Sequence, residues 1–401
     1  MKIRMFSDSS FDPLAFFDDD EYLSAESNID IEDLPAEFID GDEELEAGFY
    51  FSLPDILLPD FDFQLKEPLC PPMSDNDFLR YYSIKPPFVS GLVLIPKHTS
   101  QRPQPEYVSL IQTHTKIPDI SFLVSRNLQI LQSCNGLFLC FSPSSQLYYL
   151  CNLATQVPEV LPSFVSAINH FALNLVFDPY TSPYYKIICV QKLELQKPLH
   201  QISIYSCETQ TWESLGKPFI APRDIDFSDG VFCNGAIHWM GRTSLGLYFN
   251  LEEEVLREMP KPPLKEGYSL VSCEYFGESK GHLYYVVASP ELSFLEIFEM
   301  KEDYSGWFLR SVIDLKALAM DFPVMARRSN NPHPIFPRYE CDVLSVVQGY
   351  DDEDLEVSLS IPGEVISYNH EKRSAKKLCD LRLRPDDREV WYRVYSSYQV
   401  L

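Results

Sequence analysis

The chain has 401 residues, 45% hydrophobic and 13% aromatic, enough apolar surface for a large core, which excludes a wholly disordered protein. Its 59 acids against 33 bases leave a net charge of −26, so it lacks the basic surface that grips a nucleic-acid backbone or an anionic membrane. No apolar run approaches the ~18 residues of a membrane span, and neither nucleic acid nor membrane is an expected partner.

Residues 1–84 read as an acidic tail and linker. The first 80 residues hold 22 acids against four bases, Lys2, Arg4, Lys66 and Arg80. Repulsion within Asp18-Asp19-Asp20-Glu21 and Asp42-Glu43-Glu44 opposes compaction. Phe6, Phe11, Phe16, Phe17, Tyr22 and Leu23 are interleaved with the acids; the segment reads first as a solvated tail without a specific partner, and the acidic–aromatic mixture of a disordered docking segment is the alternative. Pro59 stops a turn of helix opened at Leu53-Pro54, and Pro68, Pro71 and Pro72 read as linker. Met1 leads into acids rather than a basic and then apolar stretch, so no secretory signal is expected. The ten cysteines then read as free thiols in the cytoplasm or nucleus. Cys134, Cys140, Cys151, Cys189 and Cys233 lie in apolar runs, and no C-x-x-C spacing suggests zinc or redox chemistry.

From residue 85 to 401 the pattern changes. Short runs rich in Val, Ile, Tyr and Phe follow one another, among them Val89–Ile95, Gly136–Phe141, Tyr185–Val190, Leu283–Val287 and Leu355–Ile361. Turn residues separate them every 8–12 positions, which predicts an antiparallel, all-β domain. Leu315–Met320 is the one expected short helix.

These runs repeat as a unit. A strand ends in an aromatic or Cys, a polar turn follows, then a short strand: Cys151-Asn152-Leu153, Tyr205-Ser206-Cys207, Phe249-Asn250-Leu251, Phe298-Glu299-Met300 and Tyr368-Asn369-His370. Three of the four steps between these anchors fall near the ~40–50 residues of a propeller blade; the longest contains the insertion Asp321–Arg338. A second repeat lies out of phase with the first. Cys134-Asn135-Gly136 matches Cys233-Asn234-Gly235, with Gly281 one step later, and Asn-Gly between apolar runs marks a tight hairpin. Combining the phases gives four strands per unit, and a ring of such sheets buries faces that one sheet alone cannot. Five units are visible. A sixth would be composite, with Val390–Val400 pairing beside Val89–Ile95, Tyr107–Ile111 and Ile120–Val124. Six blades are expected, seven being the alternative. The 15 glycines are few for such a fold.

Ser133-Cys134-Asn135-Gly136-Leu137-Phe138, Phe177-Asp178-Pro179, Tyr184-Tyr185-Lys186-Ile187-Ile188, Asn234-Gly235-Ala236-Ile237-His238-Trp239 and Asp303-Tyr304-Ser305-Gly306-Trp307 together resemble the kelch-like F-box-associated domain of plant F-box proteins. The resemblance covers Pro87 to the C-terminus. It implies a β-propeller that binds a target protein, coupled through an N-terminal F-box to the Skp-type adaptor and cullin of a ubiquitin ligase. The N-terminus departs from that pattern: Leu34-Pro35 and Leu53-Pro54 are candidate F-box starts, yet neither leads into an amphipathic, basic and apolar helical pattern. A free-standing protein-binding propeller is therefore the second expectation.

Signatures of enzymes are missing. Neither G-x-S-x-G, H-E-x-x-H nor a phosphate-cradling G-x-x-x-x-G-K-[ST] occurs, so no catalytic residue, cofactor or metal is expected. His238 reads as a satisfied core histidine, Trp212 and Trp307 as blade-packing residues, and Asp351–Asp354 as a solvated hairpin tip. Connections from each blade's last strand to the next blade, among them the loop Gly216–Phe227, should emerge on one face. They carry Arg223, Asp224, Arg327, Arg328, His333, Phe336 and Arg338, a mixture of charge and aromatic that suits protein recognition; plain surface loops are the other reading.

Overall fold

The computed structural model describes residues 88–96, 104–111, 118–153, 155–162, 170–242, 245–264, 272–289, 294–326, 339–349, 354–381 and 392–399. The tail expected over residues 1–84 lies outside them.

The chain forms a six-bladed β-propeller. It enters through β1 (Phe88–Pro96), β2 (Glu106–Ser109) and the short helix α1 (Ser121–Ser125). Blade one is β3 (Gln129–Cys134), β4 (Leu137–Ser142), β5 (Leu147–Asn152) and β6 (Glu159–Val160). Blade two is β7 (Phe171–Val176), β8 (Lys186–Lys192), β9 (Leu199–Ser206) and β10 (Thr211–Ile220). Blade three is β11 (Val231–Cys233), β12 (Ala236–Trp239), β13 (Gly246–Asn250) and β14 (Val255–Met259). Blade four is β15 (Ser272–Ser279), β16 (His282–Ser289), β17 (Phe294–Met300) and β18 (Trp307–Asp314). After the helix α2 (Leu315–Asp321), blade five is β19 (Asp342–Gln348), β20 (Leu355–Ile361), β21 (Glu364–Asn369) and β22 (Ser374–Asp380). The last strand, β23 (Tyr392–Gln399), pairs antiparallel with β1, so the sixth blade has the order β2-β1-β23 and joins the first and last described strands.

The core is distributed rather than central. One cluster of buried apolar side chains fills each gap between neighbouring blades, six in all. The sixth gap is filled like the others, by Leu92, Leu94, Val108 and Tyr392 of the composite blade against Leu344, Val365 and Leu381 of blade five. That settles the count at six. It also explains the unbroken apolar runs: a middle strand such as β4 or β12 is buried on both faces because a blade packs on each side of it.

The repeats sit where their chemistry requires. Asn135-Gly136 and Asn234-Gly235 join first and second strands with φ of 44° and 92°, and 47° and 72°, the left-handed pair that a type I′ hairpin needs. The first repeat's anchors lie at the ends of β5, β9, β13, β17 and β21. After four of these strands the turn closes on Gln156, Gln210, Glu254 and Arg373, at φ of 57°, 58°, 56° and 47°. Left-handed turns built on ordinary residues account for the low glycine count.

Two expectations change. Ile120–Val124 is not the fourth strand of the composite blade but lies in α1: Asp119 Oδ1 accepts the Ser121 N–H at 2.9 Å, and the turn sinks Phe122 and Leu123 into the gap before blade one. Gly216–Ile220, expected as loop, extends β10 beyond a bulge. Pro218 is tolerated there because the outer strand has a free edge. The expected helix at Leu315–Met320 forms, capped by Asp314, whose Oδ1 accepts the N–H groups of Lys316 and Ala317 at 2.8 and 3.1 Å.

Candidate functional site

Each blade's first strand lies nearest the axis, so the connections from outer strand to next inner strand share one face with the second-to-third-strand hairpins. The connection between blades two and three is the best defined. Its interior is pinned: Ile225 bridges to Gly241 of blade three, and Phe227 packs edge-on against Trp239 with ring centres 5.2 Å apart. Asp226 Oδ1 accepts the Ser228 N–H at 2.9 Å and its hydroxyl at 2.6 Å. With both apolar residues turned inward, Arg223 is left exposed at the tip and Asp224 half-buried beside it. Arg327, Arg328, His333, Phe336 and Arg338 lie outside the described residues. Ile225 and Phe227, which hold the tip in place, were missed in the sequence; their alternation with polar neighbours (Ile225, Phe227) was the available signal.

Behind this face the inner strands interlock. Gln132 of β3 donates from Nε2 to the Gly230 carbonyl, and its Oε1 accepts the Leu175 N–H, joining three blades. Trp239 Nε1 donates to Asn174 Oδ1 at 3.3 Å and to the Phe227 carbonyl at 3.2 Å. Gly230 must lack a side chain: a Cβ would come within 2.7 Å of Trp239 Nε1 and closer still to Asn174 Oδ1. Where last strand meets first, the Tyr395 hydroxyl donates to the Ile130 carbonyl at 2.6 Å.

On the opposite face the first hairpins link blade to blade. Asn135 Nδ2 donates to the Phe177 carbonyl at 2.8 Å, Asn234 Nδ2 to the Gly281 carbonyl at 2.7 Å, and Lys280 Nζ to the Gly349 carbonyl. Glu278 sits among these tips. Burial raises its carboxyl above the usual range, opposed by the Gly281 N–H that its Oε1 accepts at 2.7 Å and by nearby His282.

The titratable groups in the blades are fixed by packing. His238 is fully buried and stacked beside Tyr248 and Tyr304. Its Nδ1 lies 3.1 Å from the Val231 carbonyl and must donate, which leaves Nε2 to accept the Tyr304 hydroxyl at 2.7 Å. Burial lowers its pKa to about 4, so the ring is neutral at pH 7. Burial likewise pushes the Cys134 thiol up to about 12, despite a contact with the Phe177 carbonyl, and raises Cys140, Cys189 and Cys233. Thiols so shifted hold no thiolate at neutral pH. Trp307 packs against Phe276 and Tyr285 and donates to the Pro260 carbonyl at 2.7 Å. Among the described residues no group of three or more His, Cys, Asp or Glu is placed to hold a metal ion. What this architecture offers is a rigid wheel presenting loop tips on one face.

Residues 102–301 match the family described as the F-box associated beta propeller domain. Over 297 residues the chain is 30% identical to F-box protein At5g07610 of Arabidopsis thaliana, covering 68% of this chain and 69% of that protein. Among solved structures, a nidogen/laminin complex aligns with 76% of this chain and 98% of its own at 11% identity and a TM-score of 0.39. The β-propeller domain of a trilobed protease from Pyrococcus furiosus aligns with 74% and 95% at 10% identity and a TM-score of 0.35. The six-bladed assignment stands on the sheet topology, not on these two likenesses.

Proposed function

Because this chain belongs to the F-box-associated β-propeller family of plant F-box proteins, we propose that it is the substrate-recognition subunit of a Skp–cullin–F-box ubiquitin ligase, acting in the cytoplasm or nucleus. The family membership carries this reading. In it the propeller holds a target protein, the N-terminal region engages the Skp-type adaptor, and the chain itself catalyses nothing. The target docks on the face bearing Arg223 and Asp224, where a pinned loop holds an exposed guanidinium and fixed side chains lose little freedom on binding.

The departures at Leu34-Pro35 and Leu53-Pro54 favour a second reading, a free-standing protein-binding propeller without ligase coupling. Co-purification of the full chain with a Skp-type adaptor separates the two. Recovery of a stoichiometric complex supports the ligase subunit. A chain that is folded by circular dichroism and leaves the adaptor behind belongs to the second reading.

A further inference from the structure

A propeller leaves the outer edge of each blade unpaired, and native sheets guard such edges by shortness, charge or proline. Five of the six outer strands follow that rule. β6 has two residues and β2 four. β10 carries Glu213, Lys217 and Pro218, β14 carries Arg257 and Glu258, and β22 carries Lys376 and Lys377. β18 differs: it spans eight residues, and Arg310 is its one charge before the terminal Asp314. That guanidinium is drawn back onto β17, its Nε 3.4 Å from Glu299 Oε2. Among the described residues β18 pairs only with β17, so its outward backbone N–H and C=O groups form an open row.

The edge is also apolar on one side. A bulge at Arg310 pairs Leu309 with Phe298 and Ser311 with Ile297, which brings Val312 opposite Glu296. On β17, Phe298 and Met300 pack toward blade three, and Leu295 and Ile297 toward blade five. By the alternation of a strand, Leu309, Val312 and Phe294 share the face turned to blade three. They are 51%, 39% and 37% exposed. On the other face Phe308 is exposed, but Ile313 is buried with Leu315 and Leu318 of α2, and the Ser311 hydroxyl lies 2.7 Å from His370 Nδ1 of blade five. Charge and area identify the occupant. From Phe294 to Asp314 the hairpin has five acids against Lys301 and Arg310, which suits a segment with Lys or Arg near its ends. Eight residues at about 3.3 Å each, in a sheet about 10 Å thick, give an edge of roughly 260 Å². A stable interface between two folded proteins needs about 800 Å² from each, so a second wheel docked edge to edge has too little contact. A separate extended segment is not so limited, because it can pair along the edge and lay its side chains over Leu309, Val312 and Phe294.

We propose that β18 and the apolar face beside it bind an extended segment of a partner protein, apolar at alternate positions and basic at its ends, which joins the four strands of this blade as a further one. The site lies on a different blade from Arg223 and needs no ligase coupling.

Fluorescence anisotropy with the full chain tests this, using a labelled peptide of alternating valine and threonine flanked by lysine pairs. Binding should saturate. The double variant Leu309→Ser, Val312→Ser keeps the chain's charge and, once shown to be folded by circular dichroism, should bind the peptide about tenfold more weakly. The same peptide N-methylated at alternate residues also keeps its charge but loses the backbone donors of one edge, and should bind the unaltered chain as weakly. Ile220→Ser, which changes an exposed apolar residue of β10, should leave binding as it was. Absence of saturable binding, equal affinity in the folded double variant, or full affinity of the N-methylated peptide would each overturn the proposal. So would a concentration-dependent dimer in sedimentation that the double variant abolishes, since the edge would then belong to a second copy.

Discussion

Gly230→Ala isolates the network that joins blades one, two and three. The added methyl group would come within 2.7 Å of Trp239 Nε1 and nearer still to Asn174 Oδ1, so the bond between those two groups must break or the strands must part. Overpacking a tight site costs about 1–3 kcal/mol, and leaving a buried donor or acceptor without its partner adds about 1–3 kcal/mol. The sum is about 2–6 kcal/mol, toward the lower end because the Phe227 carbonyl still receives the Trp239 donor at 3.2 Å and only Asn174 Oδ1 loses its partner. Urea unfolding followed by tryptophan fluorescence should show a lower midpoint with altered native emission from Trp239. Gly235→Ala is the control: nothing lies within 4 Å of its Cβ, and only its φ of +72° opposes a side chain, for a cost of about 1–2 kcal/mol. If the midpoint of Gly230→Ala falls no further than that of Gly235→Ala, the clash argument is wrong.

His238 gives stability a pH dependence. Below pH 6.5 the unfolded chain binds a proton that the folded state, with a pKa of about 4, refuses; stability therefore falls as pH drops from about 6.5 to about 4, by about 3 kcal/mol at 1.36 kcal/mol per pH unit. His238→Gln should remove that component from a midpoint-against-pH curve, and an unchanged slope would contradict it. Gln210→Gly, Glu254→Gly and Arg373→Gly should each raise the thermal midpoint slightly, since relief of a left-handed φ, about 1–2 kcal/mol, exceeds the entropy glycine adds to the unfolded chain, about 0.5–1 kcal/mol. Tyr395→Phe, which removes the bond to the Ile130 carbonyl, should cost about 1 kcal/mol and expose the first and last strands to hydrogen exchange ahead of β8 or β12. Arg223→Glu should weaken target capture while leaving the unfolding midpoint unchanged; undiminished capture would remove this tip from the binding face.

The repeats were legible in the sequence because they are local. A tight hairpin needs two residues at positive φ, so Asn135-Gly136 and Asn234-Gly235 mark the first turns without reference to anything distant. An apolar strand ending in an aromatic or Cys marks the third strand for the same reason, and each such anchor sits at a strand end in the fold. Arg223 could be placed on an exposed connection, but not the burial of Ile225 and Phe227 that positions it, since that depends on the neighbouring blade. Gly216 and Pro218 read as loop, because glycine and proline interrupt most strands; only the free edge of β10 allows them in one.

Ring closure decided the rest. Whether six or seven blades complete the wheel depends on how β23 fits beside β1 and β3, and on whether the last gap fills as the others do. Ile120–Val124 has the composition of a strand, yet the gap before blade one takes Phe122 and Leu123 from a helix. Gln132 meets Gly230 across 98 residues and Tyr395 meets Ile130 across 265. Short-range patterns encode which stretches become strands and where they turn; partners this far apart meet only when the sheets have been brought round the axis, so their contacts belong to the closed ring and not to any one segment.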